Sequence, residues 1–299
     1  MLRFSKVQSK KLKVKSDGRA IFAFCLFTFY LAALPACAWF QRAPEVPLRQ
    51  ATAEQLTGML QERETIIRTM KGLFRAQIKG PGVLIAQRVE GAMYYRRPEA
   101  LRLQGFNQFG GKLFEFSQNR ELYRLDLPSE GKRFAGSVDE LRRAKIGRLM
   151  QMSQWAVNGV VGTDSSSGAR VVLVEDDDRY RLDVFDAAQG GRVLRRLWFE
   201  RRSLQMVQEE RLLMNGDVEA LMTFDDFRSI PVTPATATPA SDAPERAALM
   251  PFKITVVDRV ASGSVVMTFQ EIVLNPILKP EELGAAARLN RDLHESAGG

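Results

Sequence analysis

The stretch Leu101-Arg102-Leu103-Gln104-Gly105-Phe106-Asn107-Gln108-Phe109-Gly110-Gly111-Lys112-Leu113-Phe114-Glu115-Phe116 decides the fold class. Two short runs rich in apolar and aromatic residues, 101–106 and 112–116, flank a linker made mostly of turn formers. A linker this short joins antiparallel neighbours, because parallel strands need a crossover of about a dozen residues or more. Phe109 stands out: an aromatic at a hairpin tip, among Asn107, Gln108, Gly110 and Gly111, with no core to enter. It either folds back over the sheet or projects as a wedge.

Working outward, the same short period continues on both sides. Runs 74–79, 83–90 and 92–96 precede the hairpin and runs 122–127 and 133–135 follow it, punctuated by Gly80-Pro81-Gly82, Gln118-Asn119 and Ser129-Glu130-Gly131. This is a meander. Thr52-Ala53-Glu54-Gln55 is a capping box opening a helix. Its apolar stripe Leu56, Met59, Leu60, Ile66, Ile67 and Met70 carries that helix to near Gly72. A second helix, 138 to about 157, starts at the capping box of Ser137 and Glu140. Strand runs then resume at 170–175, 180–185, 193–200, 205–212, 218–226, 253–257 and 264–274. Residues 229–248, rich in Pro, Thr and Ala, have no hydrophobic period and read as a flexible surface loop inside one domain, 52–276. Residues 277–299 form a C-terminal tail, in which 284–294 have weak helical character. The class is α+β. About a dozen strands exceed what a flat open sheet tolerates, so one strongly curved antiparallel sheet is expected, with helices plugging its mouth.

Several strands alternate apolar and polar residues, as a sheet with one buried face should. Tyr123 and Leu125 alternate with Arg124 and Asp126; Tyr180, Leu182 and Val184 with Arg181 and Asp183. Met222 and Phe224 flank Thr223, and Met267 and Phe269 flank Thr268. With Leu101, Leu103, Phe114 and Phe116 of the opening hairpin, these residues line an apolar concave face. That face is either a dry core filled by the helices or a cavity for a lipid tail.

The net charge of +8 is misplaced for nucleic-acid binding. Arg3, Lys6, Lys10, Lys11, Lys13, Lys15 and Arg19 lie in the first nineteen residues against Asp17, so the chain from Cys37 onward carries only +2. The basic head precedes an uncharged run rich in Phe, Leu and Ala, the pattern of a secretory signal over residues 1–36. That run is also long enough to span a bilayer if it stays in place. Leu34-Pro35-Ala36-Cys37 resembles the bacterial lipobox, with Cys37 as the lipid-bearing residue and residues 37–51 as its tether. Cleavage near Ala38 to give a soluble protein is the alternative. Ala38 after the cysteine, rather than Asp, resembles lipoproteins sorted to the outer membrane.

The segment order and local words resemble the outer-membrane lipoprotein receptors called LolB and the wider LolA/LolB-like superfamily. The match is clearest over residues 66–160: the opening hairpin, Tyr95-Arg96-Arg97-Pro98-Glu99-Ala100-Leu101-Arg102, and the helix ending Gln154-Trp155-Ala156-Val157-Asn158-Gly159. Met250-Pro251-Phe252-Lys253-Ile254 and the run to Asn275 resemble the superfamily's final strands. The resemblance implies a half-barrel of about eleven strands covered by helices, whose cavity accepts the acyl chains of lipoproteins or other lipids. It implies no catalysis and no cofactor, and a periplasmic LolA-like carrier as partner. It places a protruding apolar residue before a glycine at the hairpin, the position of Phe109, that helps pass acylated proteins into the membrane. A non-catalytic structural or interaction lipoprotein on the same fold is the alternative, because a fold does not fix a function.

The residues themselves point to no chemistry. The single histidine, His294, sits in a polar tail, no Ser or Cys has a credible base, and no metal-ligand spacing occurs. Glu175-Asp176-Asp177-Asp178 lacks the alternation of a calcium loop and reads as a solvated turn.

Overall fold

The computed structural model describes residues 46–80, 83–98, 100–143, 147–162, 169–186, 191–232 and 246–284. The signal run, Cys37 and His294 lie outside these. The chain divides at Pro47 into two units, and the unit from Leu48 carries all the elements that follow.

Thr52 opens helix α1 (Ala53–Ile66) with the expected capping box: its hydroxyl accepts from Gln55 N–H, and the Gln55 side chain accepts from Thr52 N–H at 3.0 Å. The helix stops at Ile66, short of Gly72. Ile67 turns extended, and Met70 belongs to strand β1 (Thr69–Gly80), which pairs on both sides. Spacing at 66, 67 and 70 fits a helix locally, but two ladders of backbone hydrogen bonds outweigh propensity. Of the expected stripe within α1, only Leu56 is fully buried.

The meander continues through β2 (Val83–Arg96), β3 (Ala100–Phe106), β4 (Lys112–Gln118), β5 (Leu122–Leu127) and β6 (Lys132–Ser137). Runs 83–90 and 92–96 are one strand, because Gly91 pairs in register with both Phe74 and Gly105. Two helices follow in place of the single one expected: α2 (Val138–Arg143), capped by Ser137 and Glu140, and α3 (Gly147–Val161). The second half of the sheet is β7 (Val171–Asp176), β8 (Arg179–Phe185), β9 (Val193–Glu200), β10 (Met206–Leu212), β11 (Val218–Pro231), β12 (Ala247–Asp258) and β13 (Ser264–Leu274). A short helix, α4 (Pro280–Leu283), closes the described chain.

All thirteen strands form one antiparallel sheet, in the order β6-β5-β4-β3-β2-β1-β13-β12-β11-β10-β9-β8-β7. It is open, with β6 and β7 at its edges, and it exceeds the eleven strands that the family resemblance implied. The expected loop 229–248 is shorter than its composition suggests. Ser229, Ile230 and Pro231 pair with Leu249, Ala248 and Ala247, so strand continues where Pro and Ala blurred the period. The tail does not start as a free tail either: Leu283 is fully buried, and Arg102 donates to the carbonyls of Glu281 (2.8 Å) and Glu282 (3.0 Å). Residues 285–299, which hold most of the expected terminal helix, lie outside the described residues.

One buried apolar cluster runs along the inner face from Leu125 on β5 to Val184 on β8, with α3 packed into it through Met150, Trp155, Val157 and Val161. Along one register row of this face stand Phe269, Phe74, Gly91, Gly105 and Phe114. The Phe74 ring lies over Gly91 and the Phe114 ring over Gly105, so two aromatics cover the strip that the glycines leave bare. Phe74 and Phe269 meet edge to face at 6.3 Å.

Candidate functional site: a covered apolar face and an exposed aromatic tip

Antiparallel order sends successive turns to opposite rims of the sheet. Helix α3 crosses the inner face from rim to rim. At one rim Arg148 holds Asp258 at 2.5 and 2.8 Å and Glu219 at 2.6 Å, and stacks 5.2 Å from Trp155. At the other rim Arg97 donates to the carbonyls of Val161 (2.8 Å) and Ile67 (2.7 Å) and pairs with Glu64 at 3.4 Å. One side chain thus ties the C-terminal ends of α1 and α3 together. Arg63 adds a tie from α1 to the carbonyl of Leu249 at 2.7 Å.

Beneath α1 lies a cavity of about 30 Å³ between the two helices and strands β7 to β10. Its floor is apolar, formed by Val171, Leu182, Val184, Leu197 and Met206, while Arg63, Arg195, Glu209 and Asn158 bring polar groups into its walls. This volume holds about two waters and is far short of an acyl chain. The inner face is therefore filled in this state.

Of the thirteen residues read as lining the concave face, twelve are buried and Phe114 is half-buried against the same core. Only Leu182 and Val184 border the cavity. Leu101, Leu103, Phe116, Tyr123 and Leu125 are core residues of the first half of the sheet, and Met222, Phe224, Met267 and Phe269 lie on strands packed by α3. Tyr180 anchors the entry to α1. Its hydroxyl accepts from Ala51 N–H at 3.2 Å and stands 3.2 Å from the Arg49 carbonyl, fixing the segment that leads into that helix. Arg63, Arg97, Arg195 and Glu209 carry no signal in the sequence. Arginines abound in this chain, and no local spacing separates these from the solvated ones.

Phe109 sits at the tip of the β3–β4 turn and is 86% exposed. The turn is fixed by Asn107, whose side-chain oxygen accepts from Phe109 N–H and Gly111 N–H, both at 2.9 Å, while Gly110 takes a positive φ of 80°. The ring does not fold back over the sheet. Two other exposed apolar tips, Met214 of the β10–β11 turn and Val260 of the β12–β13 turn, share its rim. The segment before α1 approaches the opposite rim, where Arg49 N–H donates to the Arg201 carbonyl at 2.9 Å.

Among the described residues no group of three or more His, Cys, Asp or Glu is placed to hold a metal, and no helix is long and apolar enough to cross a membrane. Of the expected acidic turn, Glu175 and Asp176 belong to β7 and pair with Tyr180 and Arg179, so only Asp177 and Asp178 form the β7–β8 turn, in which Arg201 donates to the Asp177 carbonyl.

The fold has solved counterparts. A domain named for outer membrane lipoprotein sorting, from Vibrio parahaemolyticus, aligns over 79% of this chain and 100% of its own, with a TM-score of 0.51 at 10% identity. A DUF1329 family protein from Desulfovibrio piger aligns over 78% and 95%, with a TM-score of 0.52 at 10% identity. A LolA superfamily protein from Nitrosomonas europaea aligns over 78% and 97%, with a TM-score of 0.47 at 11% identity. No family model matches the chain, and no curated protein matches its sequence. The likeness to these structures is one of fold.

Proposed function

We propose that this protein is a lipid-anchored envelope lipoprotein that accepts acyl chains against the inner face of a curved half-barrel, in the localisation of lipoproteins to the outer membrane. In this reading residues 1–36 are the signal, Cys37 carries the lipid at the periplasmic face, and residues 37–51 are the tether. Acylated proteins arrive from a LolA-like carrier. The protein performs no catalysis.

The observation that carries this reading is the cover. Helix α1 lies over an apolar floor with one fully buried residue, Leu56, and its C-terminal end hangs on Arg97 and Arg63. Unseating one buried leucine costs about 1.5–3 kcal/mol, and each hydrogen bond adds about 1 kcal/mol. A cover held at that level opens locally long before the sheet unfolds. Phe109, held outward by Asn107, supports a membrane-touching or cargo-touching step.

The filled inner face favours a second reading, a structural or interaction lipoprotein with a permanent core. Native mass spectrometry of the delipidated protein with a diacylated lipopeptide separates the two. Acyl acceptance predicts one adduct per chain, together with faster amide exchange across residues 53–66. Absence of any adduct at saturating lipopeptide would leave the permanent core.

A further inference from the structure

The cavity under α1 holds more positive charge than an apolar ligand needs. Arg63 lines it from α1 and Arg195 from β9, and among the described residues lining it Glu209 is the one carboxylate. Glu209 is already engaged, 3.6 Å from Arg195 and 3.2 Å from Arg211. Arg211 stands directly opposite Arg195 in the β9–β10 register, and all three side chains are mostly buried. Like charges facing each other across neighbouring strands destabilise a sheet, and more so on a buried face. Arg63 makes no ion pair among the described residues. Its hydrogen bonds go to neutral acceptors, the Leu249 carbonyl at 2.7 Å and the Met250 sulfur at 3.9 Å. Burial pushes its pKa down to about 10, as expected of a cation whose charge is not offset.

We propose that this cavity binds the anionic head of an acyl amphiphile, a carboxylate or phosphate held between Arg63 and Arg195, with the tail over Leu182, Val184 and Leu197. This rests on the acyl-binding reading of the same face and adds the chemistry of the head. Guanidinium groups present paired N–H donors that match two oxygens of such a head. The cavity's volume of about 30 Å³ suits the head alone, so the tail enters only as α1 lifts. Because Arg63 rides on α1 and Arg195 on the sheet, the bound anion bridges cover and floor. The ligand then fastens its own lid.

The test is calorimetric titration of the delipidated protein with laurate, dodecanol and inorganic phosphate. Wild type is expected to bind laurate at least tenfold tighter than dodecanol. Arg63→Gln also removes a tie of α1 and so shifts both affinities, but it should bring the laurate-to-dodecanol ratio to about one, and Arg63→Lys should restore part of the preference. Equal wild-type affinity for laurate and dodecanol overturns the head site while leaving acyl binding intact. Phosphate bound as tightly as laurate also overturns it, in favour of a free anion. Failure of both laurate and dodecanol to bind removes acyl acceptance and the head site together. The wild-type comparison decides the matter even where a variant fails to fold.

Discussion

Arg148 grips Asp258 through two nitrogens at once, Nε to Oδ2 at 2.5 Å and Nη2 to Oδ1 at 2.8 Å. The carboxylate is buried, and its Oδ1 also accepts from Val260 N–H at 2.8 Å and Ala261 N–H at 3.0 Å. The first turn of α3 and the β12–β13 turn are thereby one unit. At the far end of α3, Arg97 ties Val161 to Ile67 through their carbonyls. The helix that fills the inner face is pinned at both rims by half-buried arginines, whereas α1 is held by Arg97 and Arg63 at its C-terminal end and by the Tyr180 hydroxyl through the segment before it.

Arg148→Met should therefore lower stability by about 3–5 kcal/mol, because it strands the buried carboxylate of Asp258. Asp258→Asn should recover part of that loss in the double variant, measured by denaturant unfolding. The pH dependence follows the same group. Burial alone would raise the Asp258 pKa, but the hydrogen bonds from Arg148 and from the Ala261 and Val260 amides outweigh it and hold it low. A folded-state pKa below the unfolded one gives stability that is present above the ordinary value of about 3.9 and is lost as pH falls toward the lowered one. Wild type should lose stability across that acid window more steeply than the Asp258→Asn variant. Equal slopes would remove Asp258 from the account.

Gly91 should tolerate nothing larger. A methyl group there meets the Phe74 ring and the backbone carbonyl of Gln104, and a carbonyl in a paired strand cannot step aside. Gly91→Ala is expected to cost about 1–3 kcal/mol as an overpacked site. Adding Phe74→Leu should relieve only the ring part, so the double variant remains below the Phe74→Leu single.

Much of this fold is legible in the sequence, for identifiable reasons. Runs with strong alternation, such as Tyr180 to Val184, and the capping boxes at Thr52 and Ser137 specify their elements locally. The strand count errs at Gly91, where a turn former sits inside a strand because a neighbouring ring covers it. Helix α1 is shorter than its apolar spacing suggests, because Ile66, Ile67 and Met70 suit either period until β13 and β2 claim Met70. The site is less legible than the fold. Alternation identifies which residues face inward, but not whether a helix already fills the space, and the role of Arg97 depends on carbonyls some thirty and sixty residues away.

Arg97→Ala should free two helix ends at once. Amide exchange is expected to quicken at residues 64–67 and 158–162, with a stability loss of about 1–3 kcal/mol. Exchange at Leu103 and Val256, on central strands, should stay protected. Uniform quickening would mean that Arg97 holds the whole sheet rather than its cover.

Cys37→Ala should abolish incorporation of a fatty-acid analogue and release the protein from the membrane fraction. Release without any labelling in wild type would point to ordinary cleavage. Membrane retention of an unlabelled protein would point to an uncleaved span.

Phe109 offers the sharpest test of how the protein meets a membrane or its cargo. The ring makes almost no core contact, being 86% exposed, and its backbone is set by Asn107 rather than by its own side chain. Phe109→Glu should therefore leave stability within about 0.5 kcal/mol of wild type, as for a surface substitution. A glutamate at the tip cannot enter hydrocarbon, so transfer of a fluorescent lipopeptide to liposomes should slow at least tenfold while binding of the lipopeptide is unchanged. Phe109→Leu should keep most of the rate, because it preserves an apolar tip, and Asn107→Ala should lower it by loosening the turn. The shared rim extends the argument: Met214→Glu and Val260→Glu should slow transfer further if the three tips meet one bilayer. Normal stability together with normal transfer in Phe109→Glu would leave the exposed ring without a role in delivery.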